Sequence, residues 1–276
     1  MITQEEISLD REMAIALEST EAAYWSKYYS PDQDLICFAS VIAGSFVGSI
    51  PEVDVLAMNR VIGLGMQTVV DPQDIQSIIK FYMKAGSRRF IVQVSDFTIQ
   101  DNLQEILLDA GFKHHNRWAK LKKELNPHAA PASSELQIRK IHKYDYEKEV
   151  FGQIIYECFD WEEPRLKKWL AKTVGQSGYS HYLAYNEEKP VAAAALHITG
   201  KYASLALAGT LPTARCMGAQ NSLIAVRLKE AEEKGCQYIF SETGVHTVEK
   251  PVQSYKNMIK MGFEEVYQRD NWLFEF

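Results

Sequence analysis

Leu205-Ala-Leu-Ala-Gly-Thr-Leu-Pro-Thr-Ala-Arg-Cys-Met-Gly-Ala-Gln-Asn-Ser-Leu-Ile224 reads as a strand that runs into a helix. Pro212 ends the strand, because proline cannot donate to a ladder and fixes its own φ. Arg215, Gly218 and Gln220 then open the helix. The first amides of a helix have no partner within it and lie at the positive end of its dipole. Gly218 lets the backbone approach a bulky anion with no side chain in the way, and Arg215 adds a fixed positive charge. Such a turn is shaped for a pyrophosphate.

Outward from this turn the second half of the chain is regular. The helix extends over residues 217–234, with Ile224, Leu228 and Ala231 at i, i+4 and i+7 facing a core. Strand-like runs occupy 179–185, 191–199 and 202–209. Residues 146–159 and 164–174 look helical, and 136–142 reads as an opening strand. After the helix come Gly235-Cys-Gln-Tyr-Ile-Phe-Ser-Glu-Thr243, then Tyr255-Lys-Asn-Met-Ile-Lys-Met-Gly-Phe263, then Trp272-Leu-Phe274. The order predicted for this half is βααβββαβαβ.

The first half closes in the same way, with Gly86-Ser-Arg-Arg-Phe-Ile-Val-Gln-Val94, Leu103-Gln-Glu-Ile-Leu-Leu-Asp-Ala-Gly-Phe112 and Trp118-Ala-Lys-Leu121. Gly86 and Gly111 are 25 residues apart, and Gly235 and Gly262 are 27 apart, so each unit reads as strand, loop, glycine-stopped helix and final strand. A helix over 72–85 precedes the first unit, with Ile75, Ile78, Ile79 and Tyr82 inward. A long helix over 5–29 opens the chain, with Ile7, Ala14, Leu17, Tyr24 and Tyr28 on one face. The strands before Gly63 are poorly marked, which leaves an unrelated helical module as the alternative reading of this half. Between the halves, Asn126-Pro-His-Ala-Ala-Pro-Ala-Ser-Ser134 carries two prolines and no formal charge, and reads as a linker. The predicted domains are therefore 1–125 and 135–276, joined by 126–134.

Composition narrows the function classes. The 276 residues carry 30 Lys plus Arg against 36 Asp plus Glu, a net charge of −6, which argues against a nucleic-acid face. Cys37, Cys158, Cys216 and Cys236 show neither zinc-ligand nor disulfide-framework spacing, so a reducing cytoplasm and no metal are expected. The uncharged run 35–51 is short and rich in Ser and Gly for a membrane span, so buried strands are expected there.

With Arg215-x-x-Gly218-x-Gln220 between the expected fourth strand and third helix, the chain resembles the GNAT superfamily of acyl-CoA-dependent N-acyltransferases. The family pattern ends on Gly or Ala, where this chain has Gln220. The terminal Lys260-Met-Gly-Phe263 also matches. Asn59-Arg-Val-Ile-Gly-Leu-Gly65, with Glu242-Thr-Gly244 and Ser254-Tyr-Lys-Asn-Met258, resembles a bacterial two-domain subgroup. The resemblance implies an α+β fold (an α/β/α sandwich) of tandem GNAT-like domains, each a mixed, mostly antiparallel sheet flanked by helices. It implies acetyl-CoA as cosubstrate, held by Ala208, Gly209, Thr210, Arg215 and the amides of Met217, Gly218, Ala219, Gln220 and Asn221. The first half has Val69-Val-Asp-Pro-Gln-Asp74 at the matching turn. There Asp71 reads as N-cap, Pro72 as N1 and Asp74 as N3, so carboxylates meet the amides and would repel a pyrophosphate.

The expected reaction is acetyl transfer to a primary amine by direct attack in a ternary complex. Glu242 is the candidate base, with an orienting carboxylate as the alternative. The family often carries its acid, a tyrosine, where this chain has Met258, so Tyr255, one turn earlier, is the candidate, with packing as its alternative. Val252 stands where many members have an asparagine. Asp160 and Trp161, in an acidic aromatic loop, are candidate contacts for a cationic acceptor. His246 reads as a surface residue, His197 as core, and His114-His115 lacks ligand spacing. The expected partners are acetyl-CoA and a small-molecule or peptide amine, without nucleic acid or membrane, and a homodimer is left open. An inert acyl-CoA-binding or regulatory protein and a tandem-GNAT aminoacyltransferase are the alternative functions.

Overall fold

The computed structural model describes residues 4–125 and 136–276, with side chains from residue 10 onward. The linker expected at 126–134 and the side chain of Ile7 lie outside the described residues. The first half contributes α1 (Gln4–Tyr28), β1 (Phe38–Ile42), β2 (Ser45–Ser49), β3 (Arg60–Ile62), α2 (Pro72–Ala85), β4 (Arg89–Val94), α3 (Leu103–Asp109) and β5 (Lys113–Glu124). The second contributes β6 (Gln137–Ile141), α4 (Glu147–Cys158), α5 (Leu166–Ala171), β7 (Tyr179–Asn186), β8 (Lys189–Thr199), β9 (Tyr202–Thr210), α6 (Ala219–Glu233), β10 (Tyr238–Gly244), α7 (Gln253–Lys260) and β11 (Glu264–Glu275). The second-half order is the βααβββαβαβ read from the sequence.

These elements form two compact units. One takes the described residues up to Lys120 together with Thr243–Val245 and Glu265–Phe276; the other takes the described residues of Leu121–Glu242 and His246–Glu264. In the first, the strand order is β1-β2-β3-β4-β11-β5. Strands β1, β2 and β3 pair antiparallel, β3 and β4 parallel, and β4 and β11 antiparallel. Ile75, Ile78 and Tyr82 of α2 pack with Leu103 and Leu107 of α3 against Val47, Val61, Phe90, Val92 and Trp272. Helix α1 buries Ala14, Leu17, Tyr24 and Tyr28, the face marked by its periodicity.

The same helix also buries Glu18 and Glu21. Arg269 meets both carboxylates, at 2.8 and 2.9 Å, while Arg60 and Lys120 reach Glu21 at 3.0 and 2.6 Å. Ionised groups this far from water persist only when opposite charge surrounds them.

The last strand departs from expectation. The domain read as 135–276 would keep β11 in the second half, but Asp270 pairs with Val94 and the register continues to Glu275 opposite Arg89, inside the first unit. Both halves end in the same strand–helix–strand pattern, so periodicity identifies this strand without identifying the sheet that accepts it.

In the second unit β10, β9, β8, β7 and β6 lie in that order. Their pairs are antiparallel except β9–β10, which is parallel. Leu125 N–H, just after β5, donates to Gln237 O at 2.9 Å. Helix α4 approaches β9 at Gly209, where a Cβ would stand 2.6 Å from the Cβ of Cys158. Both units are mixed, mostly antiparallel sheets flanked by helices, which is the α+β architecture expected. Among the described residues, no helix is long and apolar enough to cross a membrane.

Candidate active site

The turn after β9 is built from three backbone departures. Leu211 N–H still donates to Val191 O at 2.9 Å, and Pro212–Ala214 then form one 3-10 turn. Arg215 is extended, Cys216 has φ 67°, and Gly218, the N-cap of α6, has φ 79° and ψ 2°. A Cβ on Gly218 would meet nothing within 4 Å. Glycine is needed there for its left-handed backbone, and the space above it is open.

Ser222 is the first amide to close the helix, donating to Gly218 O at 3.1 Å, and its hydroxyl reaches the same oxygen at 3.0 Å. No described group accepts from the amides of residues 216–221, and no side chain caps α6. Arg215, Cys216, Met217 and Gly218 are exposed, Gln220 and Asn221 half-buried, and Ala219 buried. Gln220, the departure from the family pattern, donates through Nε2 to Thr210 Oγ1 at 2.8 Å and ties the helix start to the strand end.

The strand feeding this turn is irregular. Ala208 pairs with Ala194 but Ala206 with Ala195, so Leu207 is an extra residue, a β-bulge with φ 21°. The parallel pairing of β9 with β10 runs only from Tyr202–Tyr238 to Ser204–Phe240. Past it, Ala208 and Thr210 are half-buried and Gly209 is buried. Glu242 lies on β10 two residues beyond the last pair and is half-buried. Burial pushes the Cys158 thiol beside Gly209 up to about 11, against the pull of Arg215, so it stays neutral. The sequence reading names Cys158 only for its lack of metal or disulfide spacing and gives it no place in the site, having only a lone cysteine at a helix end to go on.

Tyr255 is half-buried on α7, and its ring stacks on His246 with centroids 5.4 Å apart and planes at 14°. His246 Nδ1 accepts the Val252 N–H at 2.9 Å, which fixes that nitrogen as the unprotonated one. The expected surface histidine is thus half-buried and joined to the start of α7. Met258 is buried.

In the loop after α4, Asp160 is exposed with φ 52°, and Trp161 stacks on exposed Phe159 at 4.8 Å. Glu163 is engaged by Arg165 at 2.8 and 2.9 Å, and hydrogen bonding from that guanidinium holds its carboxyl at about 2. Asp160 and Glu162 remain as exposed carboxylates of the loop. His197 is buried beside Tyr179, as read. Among the described residues, no group of three or more His, Cys, Asp or Glu is placed to hold a metal ion.

The corresponding turn of the first unit is closed. Asp71 Oδ1 accepts the Asp74 N–H at 2.9 Å and Asp74 Oδ2 accepts the Asp71 N–H at 3.1 Å, a reciprocal capping box with Pro72 in the first turn.

The sequence matches no family model and no curated protein. Solved structures do match. A GCN5-related N-acetyltransferase from Kribbella flavida is 16% identical over 94% of each chain, with a TM-score of 0.65. Another from Sphaerobacter thermophilus is 10% identical, covering 97% of this chain and 91% of its own, at 0.61. A tandem GNAT protein from the clavulanic acid biosynthesis pathway, solved without AcCoA, is 12% identical over 96% of this chain and 95% of its own, at 0.57. With the bulged strand, the parting of β9 from β10 and the open turn before α6, these likenesses establish that the chain has the fold of the GNAT superfamily.

Proposed function

We propose that this chain is an acetyl-CoA-dependent N-acetyltransferase whose active site lies in the second unit. The observation that carries the reading is the run of amides at residues 216–221, unclaimed by any described acceptor, with Arg215 beside it and open space over Gly218. An anion of pyrophosphate size satisfies these donors with charge-assisted hydrogen bonds. The backbone of Ala208 and Thr210, past the end of β9–β10 pairing, holds the pantetheine arm as an added strand. An N–H near the bulge polarises the thioester carbonyl.

Glu242 removes the proton from the attacking amine, directly or through a water, and Tyr255 gives a proton to the departing thiolate. The stacked His246 fixes the Tyr255 ring. Asp160 and the Phe159–Trp161 pair favour a cationic acceptor. Cys216 lies in the anion turn, so the amine attacks the thioester itself with no acyl-cysteine.

The test is thiol release from acetyl-CoA against a panel of polyamines, aminosugars and lysine peptides. Amine-dependent release that persists in Cys216→Ser and falls in Glu242→Gln supports direct transfer. Binding of acetyl-CoA without release for any amine favours an inert binding protein, and absence of binding overturns the proposal.

A further inference from the structure

Arg227 lies about two turns from the N-terminal end of the helix whose start forms the anion turn, and it is 0% exposed. Packing alone does not call for arginine here, since an apolar side chain of similar volume would fill the same space without removing a charge from water. Two of the three nitrogens of this buried guanidinium, Nε and Nη1, are met in place by carbonyls. Nε donates to Leu223 O at 2.7 Å, one turn back, and Nη1 donates to Ala195 O at 3.0 Å and Ala206 O at 3.5 Å.

Those two carbonyls are not arbitrary. Ala195 and Ala206 are the last regular pair before the register shift, and the next pair is Ala194–Ala208. The guanidinium therefore sits against the bulge, where the ladder is interrupted and carbonyls need donors from elsewhere. Ala206 C=O belongs to the same peptide group as the N–H of Leu207, the bulged residue. Donation to that oxygen draws electron density from the peptide and strengthens its N–H as a donor.

We propose that Arg227 is the positioning residue for the acyl carbonyl. It clamps the β8–β9 bulge and sets the direction of the backbone at Leu207 and Ala208, past the end of the β9–β10 pairing. The inference rests on the acetyltransferase reading and adds a residue outside the turn and outside the acid–base pair. The clamp acts on transfer of the acyl group and leaves the pyrophosphate amides untouched, so binding and turnover separate.

The experiment binds acetyl-CoA carrying 13C at its carbonyl carbon, without amine, to the full chain and to Arg227→Lys and Arg227→Met. Calorimetry reads affinity and difference infrared reads the thioester carbonyl stretch; circular dichroism checks folding. The wild-type complex is expected to show the stretch below its free-solution frequency. Arg227→Met is expected to bind within about threefold of wild type but to lose most of that shift, with kcat for the best amine of the panel falling about 100-fold. Arg227→Lys keeps the charge with one ammonium centre and is expected to fall between them. An unchanged stretch and kcat in Arg227→Met overturn the proposal. If that variant fails to fold, the same result in Arg227→Lys overturns it. A wild-type chain that binds acetyl-CoA with an unshifted carbonyl overturns this inference alone, whereas one that binds no acetyl-CoA overturns the acetyltransferase reading itself.

Discussion

Each unit carries a strand-to-helix turn at the same place in its pattern, and the two turns meet the same physical demand in opposite ways. A helix leaves its first amides without partners, and something must satisfy them. At α2 the chain does so itself: Asp71 and Asp74 exchange hydrogen bonds with each other's amides, and Pro72 removes one donor altogether. At α6 no side chain caps the helix, Gly218 holds the left-handed entry, and Arg215 stands beside the turn. One end is negatively charged and closed, and the other is open and flanked by positive charge. A helix start that is self-satisfied contributes stability, and one that is not is available to a ligand.

The contrast can be broken most severely at Gly218. Gly218→Glu places a side chain on a φ of 79° and a carboxylate among the free amides. CoA affinity measured by calorimetry is expected to fall at least about 100-fold, since backbone strain and charge repulsion each contribute on the order of 1–3 kcal/mol. Affinity within a few-fold of wild type would remove this turn from the site.

Acid should separate the two units next. In the second, burial with the nearby charge of Lys140 brings His181 from 6.5 down to about 3, so the folded unit keeps it neutral. The unfolded chain takes up that proton below about 6.5, and stability is lost as pH falls from there toward 3. Between pH 6.5 and 4.5 the loss is about 2–3 kcal/mol. In the first unit burial raises the Glu21 carboxyl, but Arg269, Lys120 and Arg60 together hold it well below its ordinary value of 4.5. Its contribution is therefore present above that value and lost as pH falls below it. Hydrogen exchange followed by region is expected to accelerate in the second unit alone between pH 6.5 and 4.5. His181→Leu should flatten that response. Equal acceleration of both units would contradict the assignment.

Arg215→Ala is expected to weaken CoA binding about tenfold, the size of one charge-assisted hydrogen bond. The loss should shrink at high salt, because Arg215 is exposed. The smallest effect belongs to the closed turn. Asp71→Ala should cost about 1 kcal/mol of stability in thermal or urea unfolding and leave CoA affinity unchanged. A change in affinity there would mean that the first turn takes part in binding.

Much of this contrast was legible in the residues themselves. The capping box follows from Asp71, Pro72 and Asp74, and the open turn from Pro212, Arg215 and Gly218, because cap chemistry is local. The second-half order was likewise set by periodicity within each element. What periodicity does not encode is partnership. Residues 264–275 read as a strand in either unit, and only three-dimensional pairing assigns them to β4. Glu18, Glu21 and Arg269 look like ordinary surface charges in the sequence, since nothing local announces that the carboxylates and the guanidinium, 251 and 248 residues apart, will meet in the core. Arg227 was hidden in the same way within a helix of charged residues, and His246 passed for a surface residue because its partners Val252 and Tyr255 become neighbours only through the bend at 248–250.

Hydrogen exchange with and without CoA tests most directly that one turn binds and the other does not. CoA should slow exchange in the peptide covering residues 216–221 and leave the peptide covering 71–76 unchanged. Protection at 71–76, or none at 216–221 under saturating CoA, would contradict the division of labour drawn from the two turns.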